Sequence, residues 1–152
     1  MSDGAVRLET AADVEALGAG IAAVLKIGDV ILLEGGLGAG KTTLARGLLR
    51  GLGLAGEAPS PTFAILQGYE PPDLRLPVGH VDLYRLESAA ELEELGLDDW
   101  LAEGALIVEW PGLLGGMLDP FALKLHLDVE AEGARLLTAV PGPAWEGRWP
   151  LP

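Results

Sequence analysis

The stretch VILLEGGLGAGKTTLARGLL, residues 30–49, decides the fold. Four aliphatic residues, Val30, Ile31, Leu32 and Leu33, run into Glu34 and then Gly35. Gly40-Lys41-Thr42 follows four residues after Gly35, which completes the G-x-x-x-x-G-K-[ST] phosphate loop. That motif requires a strand before it and a helix after it. The apolar run supplies the strand, and Leu44, Leu48, Leu49 and Leu52 recur behind it at helical spacing. Glycines allow successive backbone N–H groups to turn inward around a polyphosphate. The next helix adds its free N–H groups and its positive dipole end. Lys41 would place a point charge on the β- and γ-phosphates, and the Thr42 hydroxyl would hold Mg²⁺.

Upstream, residues 6–9 alternate as a short edge strand would. Thr10-Ala11-Ala12-Asp13 reads as a capping box for a helix with Val14, Leu17, Ile21, Val24 and Leu25 on one stripe. Downstream, Ala58-Pro59-Ser60-Pro61-Thr62-Phe63 is extended and stiff, because two prolines bracket a serine. Strands are expected over residues 63–69 and 78–83, joined by a proline-rich hairpin loop. Ser88-Ala89-Ala90-Glu91 reads as a second capping box, opening a short helix that stops at Gly96. Asp98-Asp99-Trp100 starts another helical turn or is only a helix start. A further apolar strand, 105–109, ends in Glu109. Residues 122–129 alternate, and with 135–140 they predict an antiparallel hairpin half-exposed to solvent. The last ten or so residues, rich in proline and tryptophan, are expected to be loosely held. The prediction is a single α/β domain over residues 1–152, a P-loop NTPase with a mainly parallel central sheet flanked by helices and an antiparallel C-terminal hairpin.

Composition narrows the function. Nearly half the residues are apolar, so a globular core is expected. No apolar run approaches the length of a membrane span. The absence of cysteine excludes a disulfide framework and a thiolate metal site. No secretory signal is legible at the N-terminus, and a cytoplasmic location is expected. A formal charge of −13 should repel a polynucleotide unless a partner carries the basic patch.

Ligands of open α/β sheets bind beyond the carboxyl ends of the strands. Asp82 and Glu109 both fall at such ends, as does the phosphate loop, so all three should converge on one Mg²⁺-nucleotide. Mg²⁺ takes one or two carboxylates along with phosphate oxygens and waters. Asp82 suits a Walker-B-like role, with a helix cap or surface carboxylate as its alternative. Glu109 could orient a water, complete the metal shell, act as a base, or simply end a strand. Ser60 and Thr62 lie where nucleotide switches often place a hydroxyl that senses the γ-phosphate, though a plain proline-rich turn accounts for them too. Trp110 either covers a ligand or is a core or rim aromatic. His80 reads as a core or cross-strand histidine rather than a ligand.

With these residues assembled, the chain resembles the TsaE (YjeE) family of bacterial P-loop ATPases from about residue 8 to about residue 140. The resemblance rests on five ordered segments: the loop GGLGAGKTTLARG (35–47), Ser60-Pro61-Thr62-Phe63, the H-x-D-L-Y-R-L stretch of His80 to Leu86, the segment from Glu91 to Asp99, and Val108-Glu109-Trp110-Pro111. The family usually has an aspartate second in its loop, where this chain has Gly36. The resemblance implies an ATPase, slow alone, that uses ATP and Mg²⁺ in forming threonylcarbamoyladenosine on tRNA. It implies docking on a TsaD–TsaB complex that hydrolysis resets, with tRNA reached only through those partners. By motif match, Gly35, Leu37, Gly38, Ala39, Gly40, Lys41, Thr42, Thr43, Thr62 and Trp110 would surround the nucleotide. Thr42, Asp82 and Glu109 would serve the metal, and Glu109, Lys41 and Asp82 the chemistry.

The alternative is a small P-loop metabolite or nucleoside kinase. Kinases of that kind usually carry an arginine-bearing lid, and none is legible. A guanine-nucleotide switch is disfavoured by the absence of an N-K-x-D-type segment.

Overall fold

A computed structural model describes residues 5–36, 38–55, 66–84 and 86–150. The fold is built on β2 (Val30–Glu34), whose first four residues are buried on both faces. A strand that is apolar throughout can sit only at the centre of a sheet covered on both sides. Accordingly β2 pairs in parallel with β5 (Ala105–Glu109) on one flank and with β6 (Ala122–Val129) on the other. β4 (Val78–Asp82) extends the parallel set beyond β5. The edges are antiparallel: β3 (Leu66–Tyr69) pairs with β4, β7 (Arg135–Pro141) with β6, and β1 (Val6–Leu8) with β7. The seven-stranded order is β1-β7-β6-β2-β5-β4-β3.

Helices cover both faces. α1 (Ala11–Val24) and α2 (Lys41–Gly51) bury Ile21, Leu44 and Leu48 against Ile31, Leu33, Ile107 and Leu125. The opposite face is closed by the short helices α3 (Ala89–Glu93) and α4 (Leu97–Glu103) and by the turn Pro111–Leu114, over Val30, Leu32, Leu106 and Val108. Each such aliphatic side chain contributes roughly 2 kcal/mol of transfer free energy. α1 and α2 touch backbone to backbone. A Cβ on Gly47 would lie 2.3 Å from Glu15 O, and one on Gly18 would lie 2.5 Å from Leu44 O. This close approach fixes the helix that begins at the phosphate loop.

Local signals account for most boundaries. Thr10 caps α1 reciprocally with Asp13. At α3 the box is half-formed. Ser88 Oγ accepts from Glu91 N, but the Glu91 carboxylate accepts from Glu87 N instead of Ser88. Asp98 and Asp99 open α4, which lays Trp100 over Gly68 and Gly79; a Cβ on either glycine would crowd the indole. The expected strand 63–69 is described only from Leu66, since residues 63–65 lie outside the described set.

The expected hairpin forms, β6 pairing with β7 in antiparallel. β6 also docks beside β2, with Leu123, Leu125 and Leu127 fully buried, because its alternating leucines complete the α1/α2 side of the core. One reading needs correction: the tail is not loose over residues 143–149. Trp145 is completely buried and donates Nε1–H to Phe121 O. Arg148 forks onto Asp29 at 2.6 and 2.9 Å. Proline content suggested looseness, but two anchoring side chains override it.

Candidate functional site

The phosphate loop leaves β2 at Glu34 and re-enters regular structure at Lys41. Gly35 has φ +140°, and a Cβ there would lie 2.4 Å from Leu127 O, so only glycine fits against β6. Gly40 caps α2 in the left-handed region, which directs the first N–H groups of the helix back toward the loop. A cavity of about 320 Å³ opens at this end of the helix. Gly38, Ala39, Gly40, Lys41, Thr42 and Thr43 line it, along with Asp82, Glu109, Trp110 and Arg135.

The carboxylates arrive there by sheet register. Asp82 pairs with Glu109 across β4 and β5, and Glu109 pairs with Leu33 at the end of β2. Asp82 Oδ1 accepts from Tyr84 N at 2.9 Å, which holds the turn after β4. Glu109 is buried, and its Oε2 lies 2.7 Å from His80 Nε2. Lys41 is buried too. Its ammonium donates to Gly35 O at 2.7 Å and lies 3.4 Å above the Trp110 ring. Burial pushes the Lys41 pKa below its ordinary value, while Glu109 and then Asp82 pull it back up. Trp110 has a left-handed backbone, φ 56°, and its ring meets Tyr84 at 4.9 Å. That φ is costly for an aromatic residue and aims the indole over the lysine.

The residues picked from sequence therefore meet at one rim. Gly35 borders the neighbouring groove that holds Tyr84 and Trp110. Leu37, Ser60 and Thr62 lie outside the described residues. The donor set fits a magnesium-bound polyphosphate better than a bare cation. Among the described residues, no group of three or more His, Cys, Asp or Glu side chains could hold a metal alone. A hydroxyl and one or two carboxylates beside an anion cradle match what Mg²⁺ takes when phosphates complete its shell. A Cβ on Gly36 would have nothing within 4 Å, so the aspartate that the family places there would meet no obstruction.

Sequence reasoning missed two contributors. His80 is a core histidine as expected, but its polar edge is on Glu109. The signal was present: in a strand, residues two apart share a face, so His80 sits one pleat below Asp82. Arg135, the first residue of β7, donates Nε–H to Ala39 O at 2.9 Å and Nη2–H to Gly38 O at 3.1 Å. It lies far from the motif in sequence, so no local signal pointed to it.

The family model "Threonylcarbamoyl adenosine biosynthesis protein TsaE" matches residues 8–137. The chain is similar to the tRNA threonylcarbamoyladenosine biosynthesis protein TsaE of Bacillus subtilis, with 42% identity over 77% of this chain and 72% of that protein. The Streptomyces coelicolor protein of the same name is 46% identical over 74% of this chain and 76% of its own length. The Mycobacterium leprae protein is 37% identical over 89% and 86%. Among solved structures, a crystal structure of Bacillus subtilis YdiB superposes with a TM-score of 0.76 at 31% identity, covering 93% of this chain and 88% of that one. Among the described residues, no helix is long and apolar enough to cross a membrane.

Proposed function

Because the chain belongs to the TsaE family and so to tRNA threonylcarbamoyladenosine biosynthesis, we propose that it is a Mg²⁺-dependent ATPase that docks on a TsaD–TsaB complex and resets it between turnovers. One observation carries the catalytic half: Lys41, Thr42, Asp82 and Glu109 line a single cavity at the carboxyl rim of the sheet. The loop N–H groups and Lys41 bind the β- and γ-phosphates. Thr42 and Asp82, with Glu109 on the same cavity, would hold Mg²⁺, which would supply positive charge to the phosphate oxygens. Glu109 orients the attacking water.

The partner half rests on family membership and on charge. At −13 the chain is a poor ligand for tRNA by itself, which supports a cytoplasmic accessory that reaches tRNA through other proteins. The test is to mix the full chain with TsaD and TsaB in Mg²⁺-ATP and follow phosphate release and co-elution. The expected result is a complex and a rise in hydrolysis above the rate of the chain alone. Neither complex nor stimulation would overturn the proposal, and transfer of phosphate to a nucleoside or small metabolite would replace it with a kinase.

A further inference from the structure

Glu109 is aimed by something other than its own strand. Among the described residues, the hydrogen bond reaching its side chain comes from His80, Nε2 to Oε2 at 2.7 Å, with the two side chains 2% and 5% exposed. The other ring nitrogen, Nδ1, is buried and has no partner among the described residues. A carboxylate oxygen at that distance accepts, so the ring nitrogen facing it carries a proton: Nε2–H donates to Glu109 Oε2.

His80 is itself 1% exposed. It lies on β4 opposite Ile107, one pleat before the Asp82–Glu109 pair, and on the α1/α2 face of the sheet with Val78. The imidazole is thus enclosed between the sheet and the carboxylate it contacts.

We infer that His80 is the positioning residue for Glu109: its Nε2–H holds Oε2 and leaves Oε1 for the cavity shared with Lys41, Thr42 and Asp82. The inference rests on the ATPase reading. A carboxylate that must hold a water at one angle loses rate when its own rotamer is free, and a displacement near 1 Å costs up to about 100-fold. Nucleotide affinity should be spared, because Lys41 and the loop N–H groups do not depend on His80.

The test compares wild type, His80→Phe, His80→Gln and His80→Asn in the full chain with TsaD–TsaB present. Phenylalanine keeps the ring and removes the donor. Glutamine places an N–H near the position of Nε2, whereas the asparagine amide corresponds to Nδ1 and falls short. We expect kcat to fall about 10- to 100-fold for His80→Phe and His80→Asn, ATP Kd to change less than about threefold, and His80→Gln to recover most of the rate. Wild-type kcat in His80→Phe overturns the inference and leaves the ATPase reading standing. Parallel losses of kcat and affinity in all three variants also overturn it, since they mark a merely structural histidine. If His80→Phe fails to fold, glutamine against asparagine decides: equal rates overturn the inference. If the wild type hydrolyses nothing, both readings fall.

Discussion

Among the described residues two carboxylates are buried, Asp29 and Glu109, at opposite ends of the central strands and equally deeply, each 4% exposed. They are satisfied very differently. Asp29 precedes β2 and accepts from Lys26 N and from both arms of Arg148. Arg148 donates in turn to Val24 O and Ala144 O and stacks 4.0 Å from Trp145. No side-chain polar atom in that set is buried without a partner. Among the described residues, Glu109 has one side-chain donor, His80, whose far nitrogen has no partner. Beside it Lys41 faces an aromatic ring and one carbonyl. A buried ion pair whose hydrogen bonds are complete is an anchor. Unfilled hydrogen-bonding capacity in a buried polar cluster calls for another explanation, and a ligand site supplies one. One end of the sheet is built to stay closed, the other to receive something.

Substitutions can break this contrast. The largest effect is expected from Glu109→Gln, which keeps size and the acceptor for His80 but removes the charge. Partner-stimulated hydrolysis should fall by about 10²–10⁴-fold, while chemical denaturation shifts by less than about 1 kcal/mol. A stability loss near that of the Asp29 site would abolish the distinction. Next is Arg148→Ala, which strands the Asp29 charge. Denaturant titration should show a loss of about 3 kcal/mol, with ATP affinity at folded concentrations unchanged within about twofold. Lys41→Ala follows, costing roughly 2–3 kcal/mol of nucleotide binding by calorimetry. Unchanged affinity would remove the phosphate loop from the site.

The same contrast explains what could be read from the chain. The receiving end was legible because its chemistry constrains sequence locally: a glycine spacing, a Lys-Thr pair, and acidic residues at strand ends. Parallel packing then forces Asp82 and Glu109 together by register alone. The closed end was misread at Arg148, which looked like part of a loose proline-rich tail, because nothing in that segment announces a partner 119 residues away. The place of β6 next to β2 was hidden for a related reason. An alternating strand says which face it buries, not which neighbour it joins.

Arg135 offers the finest test, since it brings the anchoring chemistry of the closed end to the receiving one. Its guanidinium ties β7 to the carbonyls of Gly38 and Ala39, on the outside of a loop whose N–H groups must face in. It also lines the cavity. If it only holds the loop, Arg135→Met should weaken ATP binding by about 1 kcal/mol, or roughly fivefold, the worth of an ordinary hydrogen bond. Turnover at saturating ATP should stay near wild type. Arg135→Lys should recover only part of the affinity, because a single ammonium cannot reproduce the fork across two carbonyls. If instead saturated turnover collapses while affinity holds, the guanidinium acts on the departing phosphate. The receiving end would then own a cation that its local motif never announced.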